Sequence, residues 1–276
     1  MGSVFSPYYA WARRGDAAAD PLDFCALNVA LYGASGPSWS CTERGRRHLA
    51  RDRTTLSLGR SRLAWTGSSL EIRIDEVTAP IPRRLRGTVR LHPVALADQV
   101  FDLDARDRHR WWPIAPCARV EVELDEPGLS WSGQGYLDTN DGDEPLASAF
   151  AHWHWSRATL RDGAAVLYDV VRRSGEAASV ALRFGPDGSV RDEEPPPAAS
   201  LPRTFWRLER ETRADEGHAP LIRRTLEDGP FYARSVLETS LFGETVFGMH
   251  ESLSLDRFTR PVVQAMLPFR MPRALR

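Results

Sequence analysis

Short runs in which apolar and polar residues alternate constrain this chain more than any other feature. TTLSLG (54–59), SRLAWTG (61–67), SLEIRIDEV (69–77), GTVRLHPV (87–94), ARVEVELDEPG (118–128) and LSWSGQGYLD (129–138) all follow that pattern. On a strand, successive side chains point to opposite faces. A period of two therefore turns one face inward and the other to water, the arrangement of antiparallel sheet. Turn residues (GSS, APIPRR, DEPG, TNDGDEP) break the runs about every eight to twelve residues, which points to a barrel or sandwich. Helical periodicity is scarce.

The second half repeats the theme. ATLRDGAAVLYDVVRRSG (158–175) reads as two strands around Asp162-Gly163, and ASVALRFGPDGSV (178–190) as two strands around a Pro-Asp-Gly turn. The Pro-rich EEPPPAASLPR (193–203) reads as a loop inside a domain, and the tail PVVQAMLPFRMPRALR as a short capping helix. The expected division follows GDEP: a module over 1–148 and a second over 149–276. A chain of 276 residues is ample for both cores.

Composition removes several classes of function. The 36 basic and 37 acidic residues leave a net charge of -1, and every basic residue is Arg, spread along the chain rather than clustered. Nucleic acid is not an expected partner. Cys25, Cys41 and Cys117 include no C-x-x-C pair and read as reduced thiols. MGSVFSPYYAWARRGD has no apolar stretch of the signal-peptide kind, and no run of about 18 apolar residues appears. No Gly-rich phosphate loop stands in a βαβ setting, and no G-x-S-x-G elbow is present. Nine Trp suggest an aromatic-lined cavity for a large apolar ligand.

Three segments carry chemistry. In RDRHRWWPIAP (106–116), His109 and Trp111 are two apart and share a strand face. In WSGQGYLDTNDGDEP (131–145), Tyr136 and Asp138 do the same, although Asp138 also reads as the residue that opens and caps the TNDGD turn. In AHWHWSR (151–157), His152 and His154 face one way and Trp153 and Trp155 the other. H-x-H on a strand is a zinc-ligand pattern, but a third ligand at diagnostic spacing is missing. The competing reading puts the two Trp in the core and both His in solvent, and no metal is expected.

GSVFSPYYAWAR (2–13), CALNVALYG (25–33), TERGRR (42–47), HRWWPIAP (109–116), GYLDTNDGDEPL (135–146) and WHWSRA (153–158) together resemble the carotenoid 1,2-hydratases (hydroxyneurosporene synthases). These pieces run in family order and cover most of the chain. The resemblance implies an all-β fold of two lipocalin-like antiparallel β-barrel or sandwich modules in tandem. The resemblance implies roughly two further strands ahead of GSVFSPYY: either this sequence begins at an internal Met, or the first module lacks its opening strands, which would leave it an unpaired edge. The resemblance also implies that Asp138 is the catalytic acid, with Tyr136, His109 and Trp111 as its polar and aromatic support. Trp65, Trp112, Tyr8 and Trp153 are the expected substrate-binding aromatics.

The implied reaction adds water to the terminal C1=C2 bond of an acyclic carotenoid such as neurosporene or lycopene, with no cofactor. Protonation at C2 leaves a tertiary cation at C1, which water captures. An alkene is a weak base, so the acid must be a neutral Asp, and an apolar site raises a carboxyl pKa. Indole and phenol faces stabilise a nearby cation by roughly 0.5–2 kcal/mol each. His109 or Tyr136 would orient the attacking water or take its proton. A substrate dissolved in a bilayer implies a cytoplasmic protein in peripheral contact with the inner membrane, and the Arg-rich end FRMPRALR (269–276) is one candidate contact. Two rival readings share the fold: a cofactor-free cyclase or isomerase of a polyketide or terpenoid, and a carotenoid or lipid carrier without chemistry.

Overall fold

A computed structural model describes residues 4–16, 18–33 and 36–274 of the chain. Gly2 and Ser3, and Leu275 and Arg276 at the end of the Arg-rich tail, lie outside the described residues. The architecture is all-β, as the alternation requires.

The first half contributes α1 (Pro7–Gly15), β1 (Cys25–Gly33), β2 (Gly36–Arg44), β3 (Leu49–Arg51), β4 (Thr55–Leu58), β5 (Ser61–Trp65), β6 (Leu70–Val77), β7 (Arg84–Pro93), β8 (Phe101–Asp102), β9 (His109–Glu126) and β10 (Leu129–Gly142). The second half contributes α2 (Leu146–Ala149), β11 (Phe150–Leu160), β12 (Gly163–Arg172), β13 (Ala177–Phe184), β14 (Val190–Asp192), β15 (Ala198–Leu201), β16 (Arg210–Arg213), β17 (Leu221–Asp228), β18 (Tyr232–Leu241), β19 (Glu244–Ser254), α3 (Leu255–Phe258) and α4 (Pro261–Met266).

The expected hairpins are present. β11 turns into β12 between Leu160 and Gly163, and β13 into β14 between Phe184 and Val190. Gly163 has φ 141, and a Cβ there would stand 1.8 Å from the Phe184 carbonyl oxygen, so only glycine fits. α4 is the short helix expected in the tail. The helix α1 was not foreseen. Its signals are local: the Ser6 hydroxyl accepts from the Tyr9 backbone N–H at 2.9 Å, Pro7 opens the first turn, and Arg13 and Arg14 close the last.

The chain forms two compact units, interleaved in sequence. One comprises 1–93, 118–135 and 264–276, the other 94–117 and 136–263. The hydrogen-bonded sheets, by contrast, separate close to residue 148. β3–β10 form one sheet, in the order β10-β9-β7-β6-β5-β4-β3 with β8 on β9, and β11–β14 with β17–β19 form another. The difference arises because β9 and β10 are long. Residues 118–126 and 129–135 belong to the first unit, and 109–117 and 136–142 to the second.

The first unit buries Ile74, Leu85, Val120, Val122 and Leu124 beneath Val29 and Leu31 of the β1-β2 hairpin. The second is built on the seven-stranded antiparallel sheet β14-β13-β12-β11-β19-β18-β17. Ala158, Leu160, Ala165, Leu167 and Ala181 form its apolar centre. Everything needed for the site below belongs to this second unit.

Candidate active site

Tyr136 and Asp138 stand on one face of β10, two residues apart. The strand continues through TNDG to Gly142, so Asp138 does not open a turn. Arg110 of β9 holds this acidic stretch, donating from Nε to Asp141 Oδ1 at 2.7 Å and from Nη1 to Asp143 Oδ2 at 3.2 Å. Turn-forming residues are thereby kept in a ladder, and Asp138 projects from a strand rather than capping a loop.

Two donors meet one oxygen of that carboxyl. Trp111 donates its indole Nε1–H to Asp138 Oδ2 at 2.9 Å, and the Tyr136 hydroxyl donates to the same atom at 3.0 Å. Trp111 is fully buried, while Tyr136 and Asp138 are half-buried. Burial raises the Asp138 pKa. The hydrogen bonds from Trp111 and Tyr136 pull it partly back, and the negative charge of Glu251 pushes it up again. Burial also lifts the Tyr136 hydroxyl well above its usual value, so the phenol stays protonated and donates.

Rings close around these groups. Trp111 lies 5.5 Å from Tyr168 and 5.4 Å from Phe101, centroid to centroid, and Tyr136 lies 5.4 Å from Trp155. Tyr168 continues to Trp153 at 6.1 Å, Trp153 to Phe150 at 6.1 Å, and Phe150 to His109 at 5.0 Å. β-register explains the assembly: Trp155 pairs with Tyr168 on β12 and with Glu251 on β19. The Glu251 carboxylate is fixed by Arg234, whose Nε donates at 2.9 Å.

His109 faces the same way as Trp111 and is 1 % exposed, but it reaches the acid only through the row of rings. Neither ring nitrogen has a hydrogen-bond partner among the described residues. Glu144 is 3.9 Å away, an ion pair only if the imidazole is charged, whereas burial lowers the His109 pKa and favours the neutral ring. Gly142 makes room for it, since a Cβ there would lie 2.5 Å from Nδ1.

The remaining expected site residues separate. Trp153 belongs to the ring row. Trp112 points the opposite way from Trp111, and its indole donates to the Ala97 carbonyl at 2.7 Å. Trp65, at the end of β5, and Tyr8, in α1, are residues of the first unit. Phe101, Phe150, Trp155, Tyr168 and Glu251 escaped sequence reasoning. Trp155 and Tyr168 had a signal in the alternation of WHWS and VLYDV, but their meeting depends on register across strands.

The other face of the same sheet corrects the reading of AHWHWSR. His154 is not in solvent. It is 8 % exposed, its Nδ1 is 2.9 Å from the Ser252 hydroxyl, and its ring stacks on that of His250 at 6.2 Å. Burial lowers the two imidazoles to about 3 and about 4, respectively. A cleft of about 100 Å³ lies on this side, lined by His154, Asp169, Ser179, Thr212 and Arg213 among others. No group of three or more His, Cys, Asp or Glu side chains among the described residues is placed to hold a metal ion. Two of the tail arginines are also engaged. Arg270 lies 4.3 Å over the Trp39 ring, and Arg273 pairs with Glu43.

Fold and site together define a lipocalin-like all-β protein with a carboxylic acid held among aromatic rings. A solved structure described as a putative AttH from Nitrosomonas europaea shares this fold at TM-score 0.59, with 14% identity over 84% of this chain and 80% of that one. The profile of the family described as carotenoid hydratase CrtC matches residues 1–276, and the chain belongs to that family. The acyclic carotenoid 1,2-hydratase of Thiocapsa roseopersicina is 56% identical over 99% of this chain and 67% of its own length. The protein of the same name from Rubrivivax gelatinosus is 52% identical over 99% and 68%, and that of Cereibacter sphaeroides 40% identical over 99% and 96%.

Proposed function

We propose that this chain adds water to the terminal C1=C2 double bond of an acyclic carotenoid, with Asp138 as the proton donor. The observation that carries this reading is the convergence of Trp111 Nε1–H and Tyr136 Oη–H on a single oxygen, Oδ2. An oxygen that accepts two hydrogen bonds is the poorer place for a proton. The acid proton therefore sits on Oδ1, the oxygen that neither Trp111 nor Tyr136 engages.

Burial keeps the group neutral, and the two donors stabilise the carboxylate once the proton has left. They thus make a buried acid strong enough to protonate an alkene. As C2 takes the proton, positive charge develops at C1. The faces of Trp111, Tyr136, Trp153 and Tyr168 are the nearest compensating groups, each worth roughly 0.5–2 kcal/mol to an adjacent cation. Water then forms the C1–O bond. The proton that it releases returns to the Asp138 carboxylate, or goes to His109, whose neutral ring has two nitrogens without partners among the described residues. The sum is substrate plus water.

The substrate reaches the protein from a bilayer, at peripheral contact with the inner membrane. No helix among the described residues is long and apolar enough to cross a membrane. One surface suits an interfacial role. Phe205 and Trp206 are adjacent, 87 % and 42 % exposed. Their backbone N–H groups donate to Asp228 at 2.6 and 3.3 Å, and Arg257 donates to the Trp206 carbonyl at 2.7 Å. The loop is pinned so that both rings point out, with Arg203 and Arg207 beside them.

The test is incubation of the purified protein with lycopene in lipid, without cofactors, in heavy-oxygen water, followed by pigment chromatography. A more polar pigment carrying the label is expected. Unchanged pigment, bound or free, would overturn the reading.

A further inference from the structure

The ring cluster contains one polar group that the chemistry above leaves unused. The indole Nε1–H of Trp155 is buried and has no hydrogen-bond acceptor among the described residues. The indole and the phenol that touch the Asp138 carboxyl both have a partner, since Trp111 and Tyr136 donate to Oδ2. Leaving a buried N–H unpaired costs about 1–3 kcal/mol, and such groups are rare in folded proteins. Trp155 is also not placed at random. Its ring lies 5.4 Å from that of Tyr136, and its strand neighbours in register are Tyr168 and Glu251.

We propose that Trp155 Nε1–H holds, through its oxygen, the water molecule that captures the C1 cation, making Trp155 a further catalytic residue of the hydration. The inference rests on the reaction proposed above. An indole N–H is a donor only. It therefore fixes the water through one lone pair, leaves the other free to form the C–O bond, and cannot itself remove a proton. The water's O–H bond breaks as the C1–O bond forms, its proton passing to the carboxylate that Asp138 has just become. The indole is unchanged, and after the reaction it donates to the tertiary hydroxyl of the product. A neutral donor also avoids placing a second anion, beside the Asp138 carboxylate, against the cation, where it would add to the return of alkene by proton loss.

This division of labour separates protonation by Asp138 from capture by the water on Trp155. In D₂O, protonation without capture leaves a trace: the cation loses a proton and returns as alkene carrying deuterium. The experiment measures both the hydrated product and deuterium in recovered lycopene for the wild type, Trp155→Phe, Trp155→Tyr and Asp138→Asn. Trp155→Phe keeps an aromatic ring and removes the donor. Hydration is expected to fall about tenfold or more while deuterium in recovered substrate rises. Trp155→Tyr restores a donor and is expected to recover part of the hydration. Asp138→Asn should show neither product nor exchange.

A Trp155→Phe protein with the wild-type ratio of hydration to exchange would overturn the assignment of Trp155 and leave that of Asp138 standing. Equal loss of hydration and exchange in both the Phe and Tyr variants would also overturn it, because that is the mark of a structural role. Hydration and exchange that persist in Asp138→Asn would instead overturn the acid itself.

Discussion

The two faces of the seven-stranded sheet bury titratable groups to opposite ends. On one, Asp138 lies among Trp111, Tyr136, Trp153, Trp155 and Tyr168, and burial favours the protonated acid. On the other, His154 and His250 lie among Ser156, Ser235 and Ser252, and burial favours the unprotonated bases. The same physical cost, that of a charge removed from water, favours the proton-bearing form on one face and the proton-free form on the other. Their company differs as well. The His face is knit by protein hydrogen bonds: His250 Nε2 to the Glu211 carbonyl at 2.8 Å, and Arg210 to Ser235 at 3.0 Å and to Thr225 at 3.1 Å. The Asp face offers π-surfaces, which suit a transient cation. Depth alone therefore does not mark a site. The distinguishing feature is an acid whose bonds favour its conjugate base, beside rings that favour a cation.

The largest expected effect breaks the comparison on the acid side. Asp138→Asn should lower hydration by about 10³-fold or more, with melting temperature at pH 7 unchanged or higher, because folding then no longer has to take up a proton that the unfolded carboxyl has released. Pigment turnover and thermal unfolding by circular dichroism report the two. Next comes Trp111→Phe, which removes a hydrogen bond that favours the carboxylate. The Asp138 pKa should rise further and the acid weaken, with turnover falling about tenfold. Since the reactive form is the neutral acid, kcat/KM falls as pH rises through this pKa. In the variant that descending limb should move to higher pH.

The third tests the basic face. Both imidazoles are depressed below their unfolded value, so the unfolded chain binds more protons between about pH 4 and 6.5. Stability is fully present above that window and is lost as pH falls through it, by about 1.4 kcal/mol per pH unit for each full proton of difference. His154→Asn should reduce the slope of urea-derived stability against pH in that window by up to about 1.4 kcal/mol per pH unit, with hydration at pH 7 little changed. The smallest effect lies on the surface. Phe205→Ser with Trp206→Ser should weaken co-sedimentation with lipid vesicles several-fold, yet leave turnover of detergent-dispersed pigment near wild type.

Much of the fold was legible because period-two alternation reports a half-buried strand directly. The pairs His109/Trp111 and Tyr136/Asp138 were legible for the same reason, since i and i+2 share a face. Three things were not. Thr139 to Gly142 look like a turn and are ladder, because Arg110 on the neighbouring strand supplies what the local sequence does not. Trp155, Tyr168 and Glu251 come together only through register between β11, β12 and β19. The interleaving of the two units depends on the lengths of β9 and β10, which no local pattern records.

The protonation state of Asp138 is the hinge of the account, and infrared difference spectroscopy at neutral pH reads it. The wild type minus Asp138→Asn spectrum should contain a protonated-carboxyl C=O stretch that shifts in D₂O. A difference spectrum with carboxylate bands alone would contradict the mechanism.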